Sequence, residues 1–248
     1  MPTDYNVMSA NAPGDVQSIL DFFTAEATPG IRRLTRDEVE RMLGGQGRFC
    51  VMRSTVDYGI VATTYLSQER AQNGKREFEI GGGLVARRLY RLGLMKCLGL
   101  CLIAAQRIEE QYDRAHAFRV PKIVGKVECS NPSGIRDLLT QVGFKKMGST
   151  RIRPNRRPGM QHMPLDENGR VCVERFEFDD ASLAGCLQQV LQYRRSNELR
   201  PGIPERVGIE VDNLKADETG DPLQEVLNEL LGLTTPAPTK RRSRRRKR

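Results

Sequence analysis

A chain of 248 residues, 38% hydrophobic and 29% charged, has room for one large core with polar appendages, or for two small ones. Its most apolar run, residues 92–105, is too short to span a membrane and holds Lys96 and two glycines. Of the formal +9, eight charges fall on Lys240, Arg241, Arg242, Arg244, Arg245, Arg246, Lys247 and Arg248, so the body is near neutral. The N-terminus lacks the charged and apolar regions of a secretory signal, which makes cytoplasmic residence the expectation, with a nuclear or virion address open through the basic tail. Six cysteines, at positions 50, 97, 101, 129, 172 and 186, form no CxxC pair. With only His116 and His162 beside them, reduced buried thiols are expected and no metal site.

In chain order, Val16, Ile19, Leu20 and Phe23 make a helical stripe over 15–27, stopped by Pro29-Gly30. Thr35-Arg36-Asp37-Glu38 has the spacing of a capping box, so a short helix starts there and ends at Gly44-Gly45. Residues 49–53 and 59–66 read as strands around a turn at 56–58, and 78–85 as a third strand with Gly81-Gly82-Gly83 near its end. A helix over 94–112, apolar on most sides at first, belongs against a sheet. Then come a strand at 122–128, a helix at 132–142 stopped by Gly143, and a strand from Phe144. Residues 151–157 form a basic loop, and the turn 166–169 leads to a strand at 171–178. A helix over 182–193 follows the Asp179-Asp180 cap, and after 200–204 the chain becomes an acidic, polar linker. A last helix over 221–231 has Asp221 as cap, Pro222 in the first turn and Gly232 as stop. The expected organisation is a domain over 1–199, a linker over 200–220, an amphipathic helix over 221–233 and a disordered basic tail over 234–248.

The segment 77–144 carries the chemistry. A strand, a glycine turn and a helix start put unpaired backbone amides and the positive end of a helix dipole at one point, a device for anions. Here the turn runs Arg87-Arg88-Leu89-Tyr90-Arg91-Leu92-Gly93-Leu94-Met95, with three arginines beside the amides.

Together with Asn131-Pro-Ser-Gly-Ile-Arg-Asp-Leu-Leu-Thr-Gln-Val-Gly-Phe144, this segment resembles the GNAT superfamily, the Gcn5-related N-acetyltransferases. In the family's Arg/Gln-x-x-Gly-x-Gly/Ala pattern, Tyr90 stands at the basic position, Gly93 at the first glycine and Met95 at the second, with Arg91 one residue away. The resemblance implies an α/β fold: a mixed, mostly antiparallel sheet with splayed strands, flanked by helices. It implies acetyl-CoA or another acyl-CoA as cofactor. Backbone at Leu84, Val85 and Ala86 is expected along the pantetheine arm, the amides of Arg91, Leu92, Gly93, Leu94 and Met95 on the diphosphate, and Asn131 beside it. The implied reaction is direct attack of an amine on the thioester. Glu79, or Glu77, stands where the family places a general base. The family's leaving-group tyrosine is replaced by Leu139, which leaves Tyr112 or Cys129 as stand-ins.

Two other readings stay open. One is a catalytically silent module of the same fold, contacting nucleic acid or another polyanion through 240–248 and a protein through the acidic linker and last helix. The other is acyl transfer from a different carrier.

Overall fold

The computed structural model describes residues 4–10, 12–27, 31, 33–70, 76–112, 121–129, 131, 134–153, 164–195, 207–216, 218 and 220–233. Part of the basic loop after Arg153, both histidines and the arm 240–248 lie outside the described residues.

One eight-stranded sheet organises the molecule, in the order β6-β7-β5-β4-β3-β2-β1-β8. Its strands are β1 (Tyr5–Ser9), β2 (Gly47–Ser54), β3 (Ile60–Arg70), β4 (Arg76–Val85), β5 (Lys122–Glu128), β6 (Phe144–Ile152), β7 (Val171–Phe178) and β8 (Val207–Glu210). The helices are α1 (Ala12–Glu26), α2 (Arg36–Arg41), α3 (Leu94–Tyr112), α4 (Ile135–Gln141), α5 (Leu183–Arg195) and α6 (Pro222–Leu230). Only β4–β5 and β1–β8 pair in parallel; the other five pairings are antiparallel. The mixed, mostly antiparallel sheet flanked by helices is the one expected.

Strand alternation sorts the two faces. Phe49 and Tyr65 are cross-strand neighbours with ring centroids 5.2 Å apart, and Phe23 of α1 and the Tyr65 ring both lie against Gly82. α1 therefore covers that face. Arg48 and Cys50, next along β2, point to the other face, where Arg48 pairs with Glu109 of α3. The first half of α3 is enclosed: Leu98, Leu100, Cys101, Leu102, Ile103, Ala104 and Ala105 have no solvent exposure. Each large side chain buried this way gains roughly 1.5–3 kcal/mol over leaving it in water.

Local signals place the helix ends. At α2 the Thr35 hydroxyl accepts from the Glu38 amide (3.3 Å), and the Glu38 carboxylate accepts from the Thr35 amide (2.9 Å). At α6 the Asp221 carboxylate accepts from the Gln224 amide (3.2 Å), and Pro222 fills the first position, where no amide hydrogen is needed. Arg194 of α5 also grips Asp221 and donates to the Leu214 carbonyl (2.8 Å), so α6 docks on the domain. Its Leu223, Val226 and Leu227 are buried.

Three expectations change. The N-terminal residues 5–9 form a strand that the apolar pattern did not show. Residues 207–210, within the stretch read as linker, add β8 to the sheet edge beside β1. Cys129 and Cys172, read as reduced thiols, form a disulfide with Cα atoms 5.4 Å apart. The other four cysteines are free and buried, and burial pushes the thiols of Cys50 and Cys186 up to about 12.

Replacing Asp221 with alanine removes the cap of α6 and the partner of half-buried Arg194. Urea unfolding should show a loss of about 2 kcal/mol.

Candidate active site

The parallel pairing of β4 with β5 runs from Glu77↔Lys122 to Ile80↔Gly125 and stops. Beyond it the two strands part. β4 stays on β3 through this region, but with a bulge: Tyr65 faces Gly81, Thr63 faces Leu84, and the Thr64 hydroxyl donates to the Gly81 carbonyl (3.1 Å). Gly82 takes φ +59 in the bulge. A Cβ there would lie 2.5 Å from the Tyr65 ring and 2.8 Å from Phe23, so both conformation and space demand glycine.

The parting has an identifiable wedge. A Cβ on Gly125 would sit 3.1 Å from Leu139 of α4 and 3.4 Å from Ile80 of β4, so those two side chains rest directly on bare β5 backbone. Leu139 is buried there and cannot donate a proton. Farther toward the mouth, Met95 and Ile135 approach Gly83 from the starts of α3 and α4.

Past the bulge, Leu84 and Val85 remain opposite Thr63 and Ala62 on β3. The Ala86 amide donates to the Val61 carbonyl (2.8 Å), so it is spent on β3. Because successive residues of an antiparallel strand turn their polar groups to opposite sides, Val85 turns its amide and carbonyl toward the parted side. The opposite lip is the turn after β5, where the Asn131 amide donates to the Glu128 carbonyl (3.1 Å).

That lip is tied down by Arg136 of α4. Its guanidinium donates to the carbonyls of Glu128 (3.0 Å), Cys129 (2.5 Å) and Asn131 (2.8 Å), and it pairs with Glu174 of β7. The Cys129–Cys172 disulfide and the Cys129 amide on the Cys172 carbonyl (2.9 Å) fasten the same corner. Lys146, 2.5 Å from Glu174, and Arg136 hold the Glu174 carboxyl below its usual range.

Between Ala86 and α3 the chain turns through Arg91 (φ +70) and Gly93 (φ +75). The first helical bond at this end runs from the Cys97 amide to the Gly93 carbonyl (3.2 Å). Among the described residues, nothing accepts from the amides of residues 91–96. Arg91 is exposed and Lys96 half-buried, and neither has an acidic partner among the described residues. Six amides, two cations and the positive end of the dipole of a 19-residue helix therefore fall within residues 91–96. The donor set suits a diphosphate, and the half-exposed glycines 81–83 leave bare backbone beside it.

The candidate carboxylates lie on the α1 face, near the closed end of the parting. Glu79, opposite Ser67 of β3, pairs with Lys126 of β5, and both side chains are less than one-fifth exposed. Glu77 is held by both outer nitrogens of Arg175 (3.2 and 2.8 Å), which also binds Glu177. Glu77 is thus a structural ion-pair member, and Glu79 is the carboxylate nearer the parting. Tyr112 is the last residue of α3, about 27 Å along the helix from Leu94. Cys129 is consumed in its disulfide. Sequence reading missed Lys126, Arg136 and Arg175, whose distant carboxylate partners lie 38 to 98 residues away.

A parallel strand pair that parts, within a mostly antiparallel sheet, is the arrangement that the GNAT resemblance implied. The fold is GNAT-like. No family model and no curated protein matches the chain. Solved structures similar to it include an N-acetyltransferase from Staphylococcus aureus Mu50 (13% identity, TM-score 0.46, covering 71% of this chain and 97% of that one). Another is an acetyltransferase of the GNAT family from Streptococcus pneumoniae (15%, TM-score 0.42, 69% and 98%). A third is the NatB acetyltransferase complex bound to CoA and MES (13%, TM-score 0.47, 68% and 97%). Likeness at this level concerns the fold only, and the chemistry of the site is argued from its own residues.

Gly82→Ala should lower stability by about 2–3 kcal/mol in urea unfolding, since it adds a left-handed strain to a clash with two rings. A carboxylate held below its ordinary value stabilises the fold above the unfolded value of about 4.3 and loses that contribution as pH falls through the folded value. The stability gap between the wild type and Glu174→Gln should therefore be widest near pH 7 and narrow as the solution is acidified below about pH 4.

Proposed function

We propose that the chain is an acyl-CoA-dependent N-acyltransferase that moves an acyl group, an acetyl group in the simplest case, to an amine. The observation that carries this reading is the unpartnered row of amides at residues 91–96, with Arg91 and Lys96, at the mouth of the β4–β5 parting. The amides of Arg91, Leu92, Gly93, Leu94 and Met95 would hold the diphosphate, and the two cations would neutralise it. The open edge at Val85 would pair with the pantetheine arm as an added strand, with Asn131 at the other lip. When bound, the cofactor supplies a thioester carbonyl that an amine can attack.

The protein's own task is then proton management and exclusion of water. Glu79 is the group placed to take the proton that the attacking amine sheds, either directly or through a water. Lys126 orients that carboxylate. Leu139, Ile80, Met95 and Ile135 give the parting an apolar lining, which shields an activated thioester from hydrolysis. With Leu139 in the acid position, no side chain of α4 protonates the leaving thiolate, so that proton must come from solvent.

One observation favours a second reading, that of a binding module without turnover. Glu79 is already engaged by Lys126, and the wedge of Leu139 and Ile80 fills the closed end of the parting. Two measurements on the full chain separate these. Isothermal titration should give micromolar acetyl-CoA binding that weakens at least tenfold when Arg91 and Lys96 are both changed to alanine. Thiol release, measured with a panel of amines and peptide N-termini, should fall about 100-fold in Glu79→Gln with binding retained. Binding without turnover on any acceptor selects the module; folded protein that binds no acyl-CoA overturns both forms of the proposal.

A further inference from the structure

A second cavity lies away from the parting, on the same face of the sheet and at the opposite end of α1. It measures about 590 Å³ and is walled by β1, β2, β8 and the first turn of α1. This is within the rough range of 300–1,000 Å³ over which small-molecule pockets fall. Asp15 lies eight residues before Phe23, the residue that touches Gly82, which separates the two sites by about 12 Å along the helix. Val51, in its floor, is two strands from Leu84, about 10 Å across the sheet.

Its charges do not cancel. Arg53 is committed on both outer nitrogens, to the Asp15 carboxylate (2.6 Å) and to the Tyr58 carbonyl (2.7 Å). Asp15 and Arg53 thus neutralise one another, each less than a quarter exposed. Glu210, brought in by β8, accepts only the Asn6 side-chain amide (2.7 Å) and has no cationic partner among the described residues. The cavity therefore carries one uncompensated negative charge at Glu210. Met8, the register partner of Glu210 on β1, and Tyr58, 73% exposed, also line it.

An anion would find the only guanidinium among the described lining residues already engaged and a carboxylate beside it. A cation would find Glu210, and an aliphatic body would find Met8 and Tyr58. We propose that this cavity binds an organic ammonium ion with an aliphatic body, Glu210 holding the charge and Met8 and Tyr58 the chain. The site is separate from the acyltransfer reading and stands or falls without it.

The test uses ¹⁵N-labelled full-length protein at pH 7 and constant ionic strength, titrated with n-hexylammonium chloride and, in parallel, sodium n-hexanoate. The expected result is saturable amide shifts confined to residues 6–9, 51–58 and 208–210 with hexylammonium and none with hexanoate. Glu210→Gln, which can still accept from Asn6, should weaken hexylammonium binding at least tenfold while leaving the acetyl-CoA titration as in the wild type. Equal responses to the two probes, shifts outside these strands, or full affinity in Glu210→Gln would overturn the proposal. If that variant does not fold, the ammonium-against-carboxylate comparison on the wild-type protein decides alone.

Discussion

The parting of β4 from β5 after Ile80 and Gly125 is the constraint around which the rest of this molecule is arranged. Backbone amides and carbonyls in a sheet interior are normally paired, and leaving them open costs free energy unless water or a ligand satisfies them. Here the gap is held by specific parts. Leu139 and Ile80 rest on the bare backbone of Gly125, the Gly82 bulge bends β4, and Arg136 ties the loop after β5 to three of its own carbonyls. A strand edge kept open by this many fixed contacts is a built feature.

The same parts set the electrostatics. The amides at 91–96 and the side chains of Arg91 and Lys96 concentrate positive potential at one end of the parting. The Glu79–Lys126 and Glu77–Arg175 pairs keep the other end neutral. On the proposed acyltransferase reading, an anionic cofactor head would be drawn to the mouth, with Glu79 held inside. Leu139 keeps that place apolar, since a hydroxyl there would sit against Ile80 and Gly125 with its hydrogen bond unmade.

What could be read from the chain was what is encoded locally. The capping box at Thr35, the Asp221-Pro222 helix start and the Gly143 stop each depend on residues within four positions, and the structure shows these features where the spacing puts them. The order of strands and helices from 47 to 195 follows from periodicity for the same reason. β1 and β8 are short and have only their pairing to define them: Tyr5 needs Ser54, and Val207 needs Tyr5, some 200 residues away. Neither has a pattern that survives outside the sheet. The disulfide joins cysteines 43 residues apart, a spacing without a local signature. Lys126 and Arg175 looked like ordinary surface charges until the register put them beside Glu79 and Glu77. The turn at 87–95 was legible in the chain, while the availability of its amides could be seen only once the neighbouring acceptors were in place.

The most direct measurement of the central claim is an amide-resolved NMR titration of the full chain with coenzyme A. A parted, unpaired strand edge leading to free helix-start amides predicts shifts concentrated at residues 83–86, 91–96 and 131–136, with little change on β1 and β8. Saturable binding whose shifts fall elsewhere, or an unshifted set of amides at 91–96, would contradict it.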